Sequence, residues 1–335
     1  MDLRRSFRLL ILAALAGAGL VLVMQATLDD YILSIVKFVG IYTILAVSLN
    51  MTNGYTGLFS LGHPGFMAIG GYATALLTFP VERKAMFLPD LPAWLAGLAL
   101  PFLPSLLAGG LCAALTALII GPPVLRLRGH YLAVATMGFL IIVQVMITNW
   151  DSVTRGPLGL NGLAELTSLW WIYFWVALTF YVAWKLKFSS RGRTMLAVRD
   201  DEMAAQTLGV DVFRTRVFAL VIGAFFAGVA GGLWAHLITA ITPTSFSLVM
   251  AFNLVVMVVV GGSGSIAGSL ITAVFFTVIT EVLRPLEEGL ELYGISEITM
   301  ALILILILIY RPEGLFGSRE PACLQPDEPA RGERK

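Results

Sequence analysis

From Phe38 to Val81 the chain runs 44 residues without an Asp, Glu, Lys or Arg. As a single helix that stretch would extend about 66 Å at roughly 1.5 Å per residue. A bilayer's hydrocarbon core is only about 30 Å thick, so the run holds two membrane spans and a break. The break falls on NGYTGLFSLGHPGF, residues 53–66, which carries four glycines, a histidine and a proline. Composition agrees, with 58% of the 335 residues hydrophobic and 13% charged, against roughly 25% charged in soluble domains. The fold class expected is an all-α, polytopic transmembrane protein.

Ten spans are read, at 7–24, 31–50, 61–79, 94–120, 131–149, 170–187, 217–238, 248–261, 267–283 and 296–310. Pro101 and Pro104 make the fourth region kinked or partly a connector. The first span follows Arg4, Arg5 and Arg8 and reads as a retained helix, the alternative being a cleaved signal peptide. Basic residues in short loops mark the cytoplasmic side. Arg126, Arg128, the loop 189–216 and the tail from Arg311 then fall inside, as do both termini. Asp29, Asp30, residues 150–168 and the Glu-rich 287–291 fall outside, with Arg83 and Lys84 the awkward exceptions. The layout is a first helix and outer loop at 1–30, a transmembrane domain at 31–317 and a disordered cytoplasmic tail at 318–335. Cys112 and Cys323 read as free thiols, and a net charge of +1 argues against nucleic acid as a partner.

Four stretches carry chemistry or mechanics. In the loop SSRGRTMLAVRDDEMAAQTLGVDVFRTR a short helix is expected, with Ala204, Ala205 and Gly209 as a small-residue surface beside Arg199, Asp200, Asp201 and Glu202. Such a helix suits a groove on a partner protein. The alternative, a helix lying on the membrane, is weakened by three adjacent acids that anionic lipid repels. In GGSGSIAGS, Gly261, Gly262, Gly264 and Gly268 read as a tight turn that allows close helix packing. Its GxSG would make Ser263 a protease nucleophile needing a histidine base. His63, His130 and His236 all precede it, the reverse of the rhomboid order, and that reading is set aside. In TRGPLGLNGL, Gly156 and Gly159 mark an external loop, either a gate or a connector.

The fourth stretch is the break. Pro64 disfavours helix at His63 and suits the first turn of a new one. A helix starting there would aim its N-terminus into the break, as broken helices in transporters do. The competing reading is a plain hairpin between spans. His63 itself reads as a packed, hydrogen-bonded residue. Buried charge within the spans is confined to Lys37, which argues against proton coupling. Glu281 is expected to pair with Arg284. No Gly-Lys pair occurs, so the chain has no P-loop for ATP. No catalytic or metal-ligating set is expected.

LNMTNGYTGLFSLGHPGFMAIGGYATALL, RLRGHYLAVATMGF, TRGPLGLNGL, GRTMLAVRDDEMAAQTLGV and RPEGLFG occur in that order. Together they resemble the permease subunits of branched-chain amino-acid ABC importers, specifically the M-type of the two Liv permeases. The resemblance implies a permease without its own cofactor. ATP would be used by partner ATP-binding subunits, beside a second related permease and an extracytoplasmic substrate-binding protein. It implies a place in the bacterial inner membrane and transport of leucine, isoleucine or valine. Urea or short-chain amide importers are the alternative, and a secondary carrier a more distant one. Arg193, Arg199, Asp200, Asp201, Glu202, Ala204, Ala205 and Gly209 then belong to the element that seats in the ATPase. Asn53, Gly54, Tyr55, Gly57, Ser60, Gly62, His63 and Phe66 would line the substrate path, and Gly156, Gly159 and the 261–268 glycines would serve gating or packing. The sequence departs from the family pattern at His130, where an acid is common, and at Arg155, where glycine is frequent.

Overall fold

A computed structural model describes residues 17, 19, 21–127, 129–291, 294–317 and 320. The helices are α1 (Asp30–Thr56), α2 (His63–Thr78), α3 (Val81–Phe87), α4 (Ala93–Ala96), α5 (Phe102–Val124), α6 (His130–Asn149) and α7 (Asp151–Thr154). They continue with α8 (Leu169–Lys187), α9 (Ser190–Asp200), α10 (Glu202–Thr207), α11 (Val212–Ile238), α12 (Leu248–Gly261), α13 (Ile266–Leu290) and α14 (Ile295–Tyr310). Two short strands, β1 (Leu160–Asn161) and β2 (Ala240–Ile241), pair antiparallel. The chain is all-α and built to sit in a membrane.

Seven helical segments are long and apolar enough to cross a bilayer, and eight if the bent pair α2–α3 counts as one span. The expected ten differ from this for physical reasons. The first falls mostly outside the described residues. The third is cut short because Phe79 is extended (ψ 129°) ahead of Pro80, as a residue before proline prefers, and the axis turns by 115° into α3. The fourth begins only at Phe102, so residues 94–101 are connector. The last, α14, is a 16-residue apolar helix.

The bundle closes around α11, the most enclosed of the candidate spans at 67% buried. Glycines set its approach to α2 and α5. A Cβ on Gly231 would run into the Met67 carbonyl and lie 3.0 Å from Gly71 N, and one on Gly228 would lie 3.0 Å from Gly109 O. In lipid no hydrophobic drive separates helix from tail, so this close packing of small residues supplies much of the association.

Two sets of contacts gather the loops at two ends. At one, Arg199 reaches Gly54 O, Lys187 reaches Gly264 O, and Leu315 N donates to Val260 O. At the other, Leu163 N donates to Thr239 O and Arg83 to Gly162 O. Arg83 and Lys84 both hold loop carbonyls, Lys84 through Leu95 O at 3.1 Å. Lys37 pairs with Glu165 at 3.0 Å, and Glu281 lies 3.7 Å from Arg284.

A candidate site where the break, the glycine turn and the loop helix meet

The break is shorter than its sequence outline. α1 continues through Asn53, Gly54 and Tyr55 to Thr56, and stops at Gly57 with φ 68°, a left-handed cap that suits glycine. Residues 57–62 are irregular, and α2 starts at His63 with Pro64 in its first turn. His63 Nε2 shares a 2.8 Å hydrogen bond with Ser48 Oγ. Ser48 lies eight residues before Thr56, about 12 Å back along α1. The chain therefore doubles back into the bundle before α2 begins, instead of turning tightly at its end. Exposed polar backbone at that depth must be satisfied by protein or water. Here Leu61 N donates to Thr136 Oγ1 at 3.0 Å, and Asn53 and Ser60 exchange two bonds of 3.3 Å. Gly62 lets α6 come close, a Cβ there meeting Thr136 O at 3.2 Å, and the Phe66 ring packs on Phe139 at 4.8 Å. The amides of Gly65 and Phe66 both turn back to Gly62 O, so these first-turn donors of α2 are engaged within the turn. Tyr55 is buried, its hydroxyl donating to Ala183 O.

The glycine turn is more than packing. Gly261 and Gly268 face each other so closely that a Cβ on either would enter the other's backbone, while Gly262 (φ 106°) packs on Gly317 and Gly264 (φ 94°) sits against Arg199. Four side chains from distant segments hold this turn. Asn50 accepts from Gly264 N and donates to Ser265 O, both at 2.8 Å. Lys187 Nζ donates to Gly264 O at 2.6 Å, and Arg199 Nη1 to Ser263 O at 3.0 Å. Glu320 accepts from Ile266 N at 2.7 Å and Ala267 N at 3.2 Å, capping α13 where the helix dipole favours an anion. It also pairs with Lys187 at 2.7 Å, both side chains being almost wholly buried. Glu320, placed by the sequence in the tail, bonds to Lys187, Ser265, Ile266 and Ala267 of the bundle. Asn50, Lys187 and Glu320 carried no signal as site residues, since a span-end base and a tail acid look alike in every membrane protein. Neither His63 nor His236 bonds to Ser263: His236 is held by Thr78 Oγ1 and Ala164 O.

The loop helix is two helices. Ser189 caps α9, and Asp201 caps α10 by accepting from Met203 N at 2.9 Å and Ala204 N at 3.0 Å. The acids expected to crowd one surface are thus divided. Asp201 is a cap, Glu202 pairs with Arg216 at 2.9 Å, and Asp200 lies 3.4 Å from Arg199. Arg193 stays on the surface beside Ser190. Ala205 is turned inward, 2% exposed among Val198 and Val212. The outward face of this element is instead Met203 (67% exposed), Ala204 and Leu208 (83%), ending at an exposed Gly209 with φ 81°. Arg199 points the other way, into the bundle, where Nη1 also donates to Gly54 O at 2.9 Å.

At the opposite end Gly156 (φ 57°) and Gly159 (φ 63°) shape the loop that carries β1. Arg155 adopts φ 62°, a left-handed conformation that favours glycine, and lays its guanidinium 4.7 Å from the Phe87 ring centroid. His130 opens α6, a position where an acid would be favoured by the helix dipole. The two departures from the family pattern are thus local backbone and helix-end matters. Among the described residues no group of His, Cys, Asp or Glu is placed to hold a metal.

Residues 31–310 match the family model for the branched-chain amino acid transport system permease component. The high-affinity branched-chain amino acid transport system permease protein LivM of Escherichia coli K12 is 30% identical, over 97% of this chain and 78% of its own. A probable LivM permease of Methanocaldococcus jannaschii is 24% identical over 85% of this chain and 93% of its own. LivH of Salmonella typhimurium is 24% identical over 83% and 92%. No solved structure gives a significant match. The chain belongs to the family of branched-chain amino acid transport permeases.

Proposed function

We propose that the chain is the M-type membrane subunit of an ATP-driven importer that moves leucine, isoleucine or valine into a bacterial cell across its inner membrane. The end carrying α9 and α10 faces the cytoplasm, and both termini lie there. ATP is bound and hydrolysed by separate subunits, a related permease completes the membrane part, and an extracytoplasmic binding protein delivers the solute. The chain performs no chemistry of its own; it alternates access, with the stretch 53–66 beside the path. A small amphipathic solute suits a protein whose spans offer backbone dipoles and apolar walls with few fixed charges.

The observation that carries this reading is the outward face of α10. Met203 and Leu208 stand exposed beside the charged residues 199–202, on an element whose other face, Ala205, packs with Val198 and Val212. Exposed apolar anchors on a rigid short helix fit a groove in a soluble partner. A Leu208→Glu variant should fold and insert as the parent does, because its side chain touches little of this chain. It should lose co-purification with the ATP-binding subunit by about tenfold or more, the consequence of burying one charge in an apolar groove. Unchanged co-purification would contradict the docking assignment.

A further inference from the structure

Arg199 Nη1 donates to two carbonyls that belong to separate elements, Gly54 O in the last turn of α1 and Ser263 O in the turn between α12 and α13. Between those elements opens a cleft of about 180 Å³. Gly57, Leu58 and Phe59 after α1, Val255, Val258 and Val259 of α12, and Arg199 line it. Room for the guanidinium is built in: a Cβ on Gly264 would lie 2.6 Å from Arg199 Nη1, and one on Gly57 would lie 3.0 Å from its Cγ. Arg199 is at the same time in the final turn of α9, one residue from the corner into α10. A movement of α9–α10 therefore cannot occur without stretching or breaking the tie across the cleft.

We propose that this cleft is the inner mouth of the solute path and that Arg199 is its latch. The inference rests on the importer reading above and adds to it a specific positioning residue. With α9 seated, the guanidinium holds the α1 end and the glycine turn together and the mouth is closed. When the partner ATPase draws α9–α10 away, both bonds are released together and the valine-lined mouth widens. The apolar wall of Val255, Val258 and Val259 suits passage of a branched aliphatic side chain.

The test uses the whole transporter with its ATPase in inside-out vesicles. The reporter is Val259→Cys in a Cys112→Ala, Cys323→Ser background, labelled by a membrane-impermeant thiol reagent. Without nucleotide, labelling should be slow when Arg199 is intact. Arg199→Met keeps the stem and removes the bonds, so labelling should be faster by about tenfold or more, the shift expected from losing charge-assisted hydrogen bonds. ATP hydrolysis should persist in this variant while leucine uptake by intact cells carrying it falls. Arg199→Lys, able to hold one carbonyl at a time, should fall between and serves if the Met variant does not insert. Equal labelling with and without Arg199, or uptake that stays coupled in the Met variant, would overturn the latch. Absence of leucine uptake by the parent would instead remove the importer reading on which the latch rests.

Discussion

Replacing Gly231 by leucine should abolish the folded permease. Its Cβ would enter the Met67 carbonyl and crowd Gly71 N, and both neighbours are helix backbone that cannot rotate away as a side chain can. α11 would have to leave α2, and Gly228 and Gly223 on the same helix are equally close to α5 and α1. Overpacking in an interior that can adjust costs about 1–3 kcal/mol; here the adjustment is denied on three sides and the penalty should exceed that range. In a membrane the lost packing has no hydrophobic term to compensate it. Gly138→Leu is the control, because a Cβ there meets nothing within 4 Å. Size-exclusion profiles of the detergent-solubilised complex should show aggregate for Gly231→Leu and a parent-like peak for Gly138→Leu.

Lys187→Met should be nearly as severe. It leaves the Glu320 carboxylate, 1% exposed, without its cation at 2.7 Å. Breaking one partner of a buried pair costs about 3–5 kcal/mol. Glu320 lies at the end of the segment whose Leu315 and Phe316 amides bond to Val260 O and Gly261 O, so the carboxylate can escape only by peeling that segment away. The signature is a lowered melting temperature together with protease cleavage between residues 311 and 320. A simple buried pair is often restored when both charges are replaced by apolar groups. The double variant Lys187→Met, Glu320→Met should not recover, because Ile266 N and Ala267 N then lose their acceptor. Full recovery in melting would show that Glu320 serves only as a counter-ion.

How much of this was legible in the sequence varied with the distance over which each residue acts. The break was, because Gly57, Gly62 and Pro64 impose local backbone conformations and the uncharged run leaves no other place for it. The extent of α1 was not. Thr52 and Asn53 look like loop residues, yet they lie in the helix, and Asn50, read as the end of the span, is satisfied by Gly264 and Ser265 more than two hundred residues later. The glycine turn was recognised as a site of close packing, but nothing local says that Asn50, Lys187, Arg199 and Glu320 all reach it. Arg199 sits in a charged string and invites an outward reading; its inward direction follows only from the fold. Ala205 was read as surface because alanine accepts either side of a helix, and the partners Val198 and Val212 decide for the inside. In the loop that carries β1, the departure at Arg155 was visible as a residue change, while its physical content, a left-handed backbone with the guanidinium over Phe87, follows only from the fold.

Inward transport of branched-chain amino acids at the expense of ATP, as proposed above, is tested most directly by uptake of labelled leucine in cells with and without the chain, with excess valine or excess urea as competitor and with the ATP-binding subunit present or deleted. Uptake should require both the chain and the ATPase, be competed by valine and be indifferent to urea. Uptake that survives loss of the ATPase and collapses with the proton gradient would contradict it in favour of a secondary carrier. Leucine uptake unaffected by deletion of the chain would move its solute to urea or a short-chain amide.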